Sequence, residues 1–506
     1  MTLNMINVGW LSILPPLIAI VLALLTKEVY SSLFIGLFSG MAIYSFTTGT
    51  GLLKAFQYCF EMMYIKIGEN ALMMIFLCTL WAVVSIVSSS GGTDAYGRWA
   101  KKRLKSAKST TIATALLGLL VFIDDGFNCL TVGTIMRPIV DKNHVSREKL
   151  AYILDATAAP VCIIAPVSSW AVAVASYLDD VNGFTAFLKT IPFNLYAILT
   201  LVMVFTTITL QIDFGPMKKA VLYARNNNAD TNAEDHFENE TKELKKGQAI
   251  DLILPIATIV IGGILGMAYV GGFFEGIPFS EAIGENPVIG LVMGAFLGLL
   301  VAMSLYIPRG IMTFREFIDK SVKGIGSISQ PLLILVFSWS LGGVCREMLG
   351  TGIFISNLLN EISVPMWLLP MMVFIVAALL SFSTGTSWGA FGILIPIVSM
   401  ICTEVSGGAT YLIPTIAATL SGSVFGDHCS PLSDTTILSS TGAQCEHLKH
   451  VETQLPYALL VAAICVPCYM IAGITLSPVI SLITGVVLML ITLLVIRMVE
   501  HKQIEI

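Results

Sequence analysis

A series of stretches in this chain, residues 9–26, 30–47, 70–90, 193–212, 249–270, 287–307, 330–349, 456–475 and 479–498, are each apolar for roughly 20 residues. That is the length a helix needs to cross a bilayer. Across the 506 residues only 12% are charged, and the mean hydropathy is +0.84. Soluble domains carry about 25% charge, so the segments read as an all-α polytopic membrane protein with about 11 spans. The net charge is −5, and no basic tract with interleaved aromatics speaks for a nucleic-acid partner. The first 26 residues hold no Lys or Arg, which argues against a secretory signal. Cys465 and Cys468 lie in an apolar run and read as small buried hydrophobes.

Polar interruptions single out four regions. Residues 109–140 and 366–400 are too short for two crossings and break midway at Asp124–Asn128 and Ser383–Ser387, so both are expected as re-entrant hairpins. Residues 150–178 and 412–440 exceed one crossing and are polar at the centre, so both are expected as broken crossings. Basic loops at 98–108 and 141–149 flank the first hairpin, whereas 351–365 and 401–411 around the second contain no Lys or Arg. Positive charge marks the cytoplasmic side. The first hairpin is therefore expected to enter from the cytoplasm and the second from outside, with the N-terminus outside and the C-terminus cytoplasmic in the plasma membrane.

A constant shift of 258 residues aligns Ile67-Gly68 with Ile325-Gly326, Trp81 with Trp339 and Gly92-Thr93 with Gly350-Thr351. It also aligns Pro138-Ile139-Val140 with Pro396-Ile397-Val398, and puts Ser169 on Asp427. Self-similarity at one register is the mark of an internal repeat. An odd number of crossings per half makes the repeats inverted. The expected domains are a first repeat at 1–213, a solvated cytoplasmic linker at 214–248, a second repeat at 249–478 and an extra span with tail at 479–506. Inverted repeats with discontinuous helices are the plan of many secondary transporters, whose sites lie at the midplane. No Walker A sequence appears, so transport would be driven by gradients, and no zinc-ligand or nucleophile–base pattern suggests an enzyme.

Sodium takes oxygen ligands: carboxylates, hydroxyls and carbonyls freed where a helix unwinds. The first half offers Asp124, Asp125 and Asn128 at its hairpin tip, then Asp155, Thr157, Ser168 and Ser169. The second offers Ser383, Thr384, Thr386 and Ser387, then Ser421, Ser423, Asp427 and Asp434. Two sodium positions are expected, one at Asp124, Asp125 and Asn128, the other at Asp427, Asp434, Ser383 and Thr384. Each group has a plainer alternative. Hydroxyls in membrane helices often bond their own backbone, glycines at 126, 385 and 426 serve turns, and Asp124 or Asp125 can cap a helix. Asp155 could instead pair with Arg137 or Lys149. His428 reads equally as a proton carrier or as a hydrogen-bonded structural residue. The carboxylates carry the functional reading, because an unpaired charge in lipid is costly. A carboxylate that binds either Na+ or a proton couples the two by competition.

GDHCSPLSDTT (426–436), preceded by SGSVF and followed by TGAQCEHLKHVETQLPYA, resembles the signature of the NhaC-type Na+/H+ antiporter family. DDGFNCLTVGTIMRP (124–138) with DATAAPVCIIAPVSSW (155–170) is similar to its first-half block. The resemblance implies the ion transporter superfamily, an elevator-like movement of the hairpin-bearing domain, and Na+ and H+ as coupling ions with no cofactor. It also implies relatives that exchange malate for lactate or take up amino acids such as methionine or lysine. His428 and Cys429 stand where the antiporter signature has a Lys-Met-like pair. Na+/H+ antiport is thus the first expectation, and sodium-coupled transport of an amino acid or small organic acid the second. The partners expected are the bilayer, Na+, and protons or a small organic substrate, with a homodimer as the assembly.

Overall fold

The computed structural model describes residues 4–92, 95, 103–178, 182–226, 247–279, 282–283, 287–351, 353–354, 357, 365–405 and 407–504. Their regular structure is all helical, with no strand among the described residues. Helices are numbered in chain order. The first half runs α1 (Leu14–Thr26), α2 (Val29–Thr47), α3 (Leu52–Glu69) and α4 (Ala71–Ser88). Next come a hairpin of α5 (Ala107–Leu120) and α6 (Asp125–Lys142), then a crossing broken into α7 (Arg147–Thr157), α8 (Ala159–Cys162) and α9 (Ser169–Ala175). After them α10 (Gly183–Thr190) leads to α11 (Leu195–Leu210) and α12 (Gly215–Asn226).

The second half takes up the same order with α13 (Ala249–Val270), α14 (Pro287–Tyr306), α15 (Phe314–Ser327) and α16 (Ser329–Gly343). Its hairpin is α17 (Leu369–Thr384) with α18 (Ser387–Glu404), and its broken crossing is α19 (Leu412–Cys429) with α20 (Asp434–Ala443). α21 (His447–Thr475) and α22 (Pro478–Ile504) close the chain. Among the described residues, 12 helical stretches are long and apolar enough to cross a membrane, one more than the sequence reading expects. Two of the 12 are the arms of the second hairpin, which the sequence reading takes as re-entrant, while the first broken crossing, 150–178, holds no helix of that length. The second arm of that hairpin continues through Pro396 to Glu404, so Met366–Thr384 and Ser387–Glu404 each reach span length.

Polar residues inside these apolar runs set the helix starts. Ser106, Asp124, Ser146, Ser168, Thr386 and Ser433 each stand at an N-cap and accept a backbone N–H from the first turn. By element, the cap Asp124 corresponds to Thr386 and the cap Ser168 to Ser433. The constant 258 shift therefore slips at both breaks. Ser169 falls level with Asp434 at the start of α20, not with Asp427, which lies in the last turn of α19.

Glycine ridges hold the bundle together, as expected where helices gain little by excluding lipid from one another. On α14 an added Cβ at Gly294 would lie 2.3 Å from the Gly263 nitrogen of α13. On α19, added Cβ atoms at Gly422 and Gly426 would each lie 2.2 Å from a carbonyl oxygen of α17, those of Phe374 and Ala378. The first arm of the second hairpin is thus packed backbone to backbone on the broken crossing. The interior is closed by Trp170, Tyr152, Tyr196, Phe391, Tyr457 and Tyr469, all fully buried.

The linker differs from the expectation. Residues 215–226 form α12, whose Met217 and Val221 are buried, and residues 227–246 lie outside the described residues. Residues 98–102 of the basic loop and most of 351–365 also lie outside them. All ten cysteines are free, with Cys465 and Cys468 buried as expected.

Candidate functional site

The two hairpin tips meet the second break. At the first tip the chain leaves α5 at Val121 and re-enters helix at the cap Asp124, whose Oδ1 accepts the Phe127 N–H at 2.9 Å. The Ser169 N–H at the start of α9 donates to the Ile123 carbonyl. At the second tip Gly385 takes a left-handed φ of 68° to end α17, and Thr386 caps α18. Leu432, in the gap between α19 and α20, lies directly over Gly385. Ser387 Oγ is within reach of the Ser423 carbonyl (3.1 Å) and of Asp427 Oδ2 (2.9 Å).

Between them lies a cavity of about 470 Å³. Asp124, Asp125, Thr384, Thr386, Ser387, Asp427, Asp434 and Thr435 line it. Its mouth is formed by Lys27, Glu28 and Tyr30 of the α1–α2 turn and by Ser327 and Gln330 at the α15–α16 junction, with Trp81 of α4 on one wall. Asp124 and Asp427 are almost wholly buried, at 1% and 5% exposure, whereas Asp125 is half-buried and Asp434 exposed. Asp124 Oδ2 and Asp427 Oδ1 are buried and meet no donor in hydrogen-bonding geometry. Buried carboxylate oxygens are ordinarily paired, so these two are oxygens free to face a cation. Among the described residues no group of three or more His, Cys, Asp or Glu stands close enough to hold a metal ion. The acidic oxygens are spread around the cavity, with hydroxyls and broken-helix carbonyls between them.

The two expected sodium positions thus open onto one space, with some members missing. Ser383 is absent from the lining, and its hydroxyl donates to the Leu380 carbonyl, as does that of Thr384. Asn128 is a staple. Its Nδ2 reaches the carbonyls of Gly118, Val121 and Thr157 at 2.7, 3.0 and 3.0 Å and ties the end of α5 to the end of α7. Thr157 bonds back to Ile153 and fills the space beside Gly118. Ser168 caps α9 and donates to the Cys162 carbonyl. Ser169 reaches the tip through Ile123.

In the second half Ser423 bonds back to Thr419. Ser421 belongs to a separate buried cluster, donating to Asn194 Oδ1 at 2.8 Å and lying 2.5 Å from the Tyr469 hydroxyl. His428 Nδ1 pairs with the Tyr196 hydroxyl at 2.8 Å, and its Nε2 has no partner.

Asp155 corrects the sequence reading. Lys149 pairs with Asp213 at 2.5 Å instead. Fully buried Asp155 is held by Gln454 Nε2 (2.7 Å), His450 Nε2 (3.3 Å) and Thr436 Oγ1 (3.3 Å). Sequence reasoning missed His450, Gln454, Tyr196 and Thr436. The signal for the first two was their spacing of four in HLKHVETQ, which puts them on one face of α21.

The sequence model of the Na+/H+ antiporter family matches residues 171–474. The chain belongs to that family. An uncharacterized protein of Haemophilus influenzae is 37% identical over 485 residues, 92% of this chain and 91% of its own length. The malate-2H+/Na+-lactate antiporter of Bacillus subtilis is 29% identical over 204 residues, 39% of this chain and 38% of that protein. Among solved structures, the Alcanivorax borkumensis YdaH transporter is similar over 83% of this chain and 89% of its own, with 13% identity and a TM-score of 0.48. The antiporter-family match takes in the second hairpin, Asp427, Asp434 and His450, and begins after Asp124 and Asp155.

Proposed function

We propose that this antiporter-family chain exchanges Na+ for protons by alternating access, with the cavity between the hairpin tips as its ion site. The observation that carries this reading is the pair of buried, unpartnered carboxylate oxygens on Asp124 and Asp427 at the meeting point of both tips. A cation there would take Asp427 as its acidic ligand, with Ser387, Thr386 and the carbonyls at the α19–α20 gap completing the oxygen shell and with Asp124 and Asp125 facing it across the cavity. Asp434 at the mouth would draw cations in. Loading Na+ displaces the proton from the same carboxylate, and an empty charged site resists crossing lipid.

In this reading the two halves are inverted repeats and the hairpins are re-entrant. Both arms of the second hairpin reach span length, so it is the polar tips meeting at the cavity, and not arm length, that support re-entry. The mouth at the α1–α2 turn then faces the cytoplasm, and the protein sits in the plasma membrane. In everted vesicles carrying a pH-sensitive dye, Na+ should restore fluorescence for the unmutated protein and not for Asp427→Asn. Absence of a sodium response from the unmutated protein at any pH would overturn the proposal.

A second reading is favoured by the size of the cavity, about 470 Å³, which is far more than a bare ion fills. The first turn of the 18-residue α18 faces the cavity behind a neutral cap, Thr386, and helix N-termini attract carboxylates. An amino acid or small organic acid could lie there with Na+ as coupling ion, in keeping with the malate/lactate relative. Thermal-shift screening with amino acids and hydroxy acids, with and without Na+, separates the two. A sodium-dependent shift with one class supports the second reading, and no shift with any refutes it.

A further inference from the structure

Behind the cavity, and outside its lining, α7, α20 and α21 enclose a second polar centre made of Asp155, His450, Gln454, Thr436 and Ser439. Asp155 and His450 are 1% and 0% exposed, and the imidazole Nδ1 and Gln454 Oε1 have no partner. We propose that His450 and Asp155 form a proton-carrying pair distinct from the sodium cavity, a proposal that rests on the exchange reading above.

His450 and Asp155 share hydrogen-bond partners with their neighbours. His450 Nε2 lies between Asp155 Oδ2 at 3.3 Å and Ser439 Oγ at 2.9 Å. With a proton on Nε2 the ring donates to the Asp155 carboxylate. Without it, Nε2 is an acceptor and must take the Ser439 hydroxyl proton, which otherwise goes to the Thr436 carbonyl at 3.1 Å. A rotation of Ser439 satisfies Nε2 in each state, and Nδ1 is equally unpartnered in both, so the switch leaves the number of buried unpaired groups unchanged. Histidine is the side chain whose charge changes nearest neutrality.

The second shared partner links this centre to the cavity. Thr436 has one hydroxyl proton and lies 3.3 Å from Asp155 Oδ2 and 3.5 Å from the Asp427 carbonyl. When His450 donates to Asp155, Thr436 is released to the Asp427 backbone. When it does not, Thr436 is drawn to Asp155. Gln454 spans the same gap, donating to Asp155 and, at 2.5 Å, to the His428 carbonyl. Proton state is thereby read out at the last turn of α19, which carries Asp427.

The other titratable groups facing the pair are Asp427 and His428 from α19, with Cys429 at its end, and Cys129 from α6. On the cytoplasm-facing side of α7 follow Tyr152 and Tyr457, with Lys149 and Asp213 beyond them. No basic side chain of Lys or Arg contacts Asp155 among its hydrogen-bond partners.

The test uses full-length protein in proteoliposomes, with His450→Gln, Asp155→Asn and Ser439→Ala. Three readouts are needed: Na+-driven proton movement across pH, Na+/Na+ exchange with ²²Na+, and ²²Na+ binding. His450→Gln keeps an amide donor toward Asp155 and cannot carry the proton. The expected result is sodium binding and Na+/Na+ exchange near the unmutated level, with proton movement lost by an order of magnitude or more. Ser439→Ala removes the partner of the unprotonated state and is expected to displace the pH profile of exchange. His450→Gln with an unchanged pH profile would overturn the pair, as would loss of all three activities together with an unmoved profile in Ser439→Ala. If the unmutated protein exchanges Na+ for Na+ and moves no protons, it is the antiport reading that fails.

Discussion

Gly385→Ala tests whether the second hairpin tip and the α19–α20 gap form one unit. Gly385 has a φ of 68°, and its N–H donates to the Ser381 carbonyl at 2.8 Å to close α17. An added methyl carbon would lie 2.6 Å from the Leu432 oxygen, 2.7 Å from its carbonyl carbon and 2.8 Å from its Cβ. The left-handed conformation costs an L-residue about 1–2 kcal/mol, and overpacking against backbone adds about 1–3 kcal/mol. Together that is about 2–5 kcal/mol on the arrangement in which the tip touches Leu432, or at least about 30-fold in its population. Gly49→Ala is the control, because Gly49 has a similar φ of 73° with open space around its Cβ position. Equilibrium ²²Na+ binding and thermal melting of the two purified variants give the comparison. Gly385→Ala should lose sodium affinity by about 30-fold or more, while Gly49→Ala loses only stability. Equal, unaltered binding in both would show that contact between tip and gap has no part in the ion site.

Asn128→Ala removes a donor shared by three buried carbonyls, each costing about 1–3 kcal/mol if left unpaired. A melting temperature well below that of the unmutated protein is expected, and an unchanged one would contradict the staple. Ser421→Ala should lower stability by about 1 kcal/mol through the Asn194–Tyr469 cluster, yet leave ²²Na+ affinity intact. A large loss of affinity would return Ser421 to the ion site. Thr386→Cys should be labelled by a membrane-impermeant thiol reagent applied to everted vesicles, with protection by Na+. Labelling from the opposite face alone would reverse the assigned orientation of the mouth.

What the sequence made legible were features that a single segment carries. Apolar runs of membrane length located the spans, and hydroxyl or acidic residues inside them located both tips and both breaks. The same residues act as helix caps, Asp124, Ser168, Thr386 and Ser433, and a cap fixes where a helix starts more sharply than hydropathy does. Hence one constant shift put Ser169 on Asp427, although the caps bring it level with Asp434. The α12 helix was hidden because only Met217 and Val221 mark its buried face within a polar stretch.

Packing across distant segments decided the rest. His450 lies 295 positions from Asp155, and nothing local in either segment announces that contact. Hydroxyls were the least legible groups. Thr384, Ser383 and Ser423 differ little in sequence context from Ser387, yet they bond their own helices while Ser387 faces Asp427.

In the proposed exchange, one cavity at the junction of both hairpin tips holds the transported cation through Asp427. Equilibrium binding of ²²Na+ to purified protein, compared between Asp427→Asn and the unmutated chain at matched folding yield, tests it directly. Saturable binding is expected in the unmutated protein and none in the variant within the same concentration range. Binding of equal affinity in Asp427→Asn would contradict this role of Asp427.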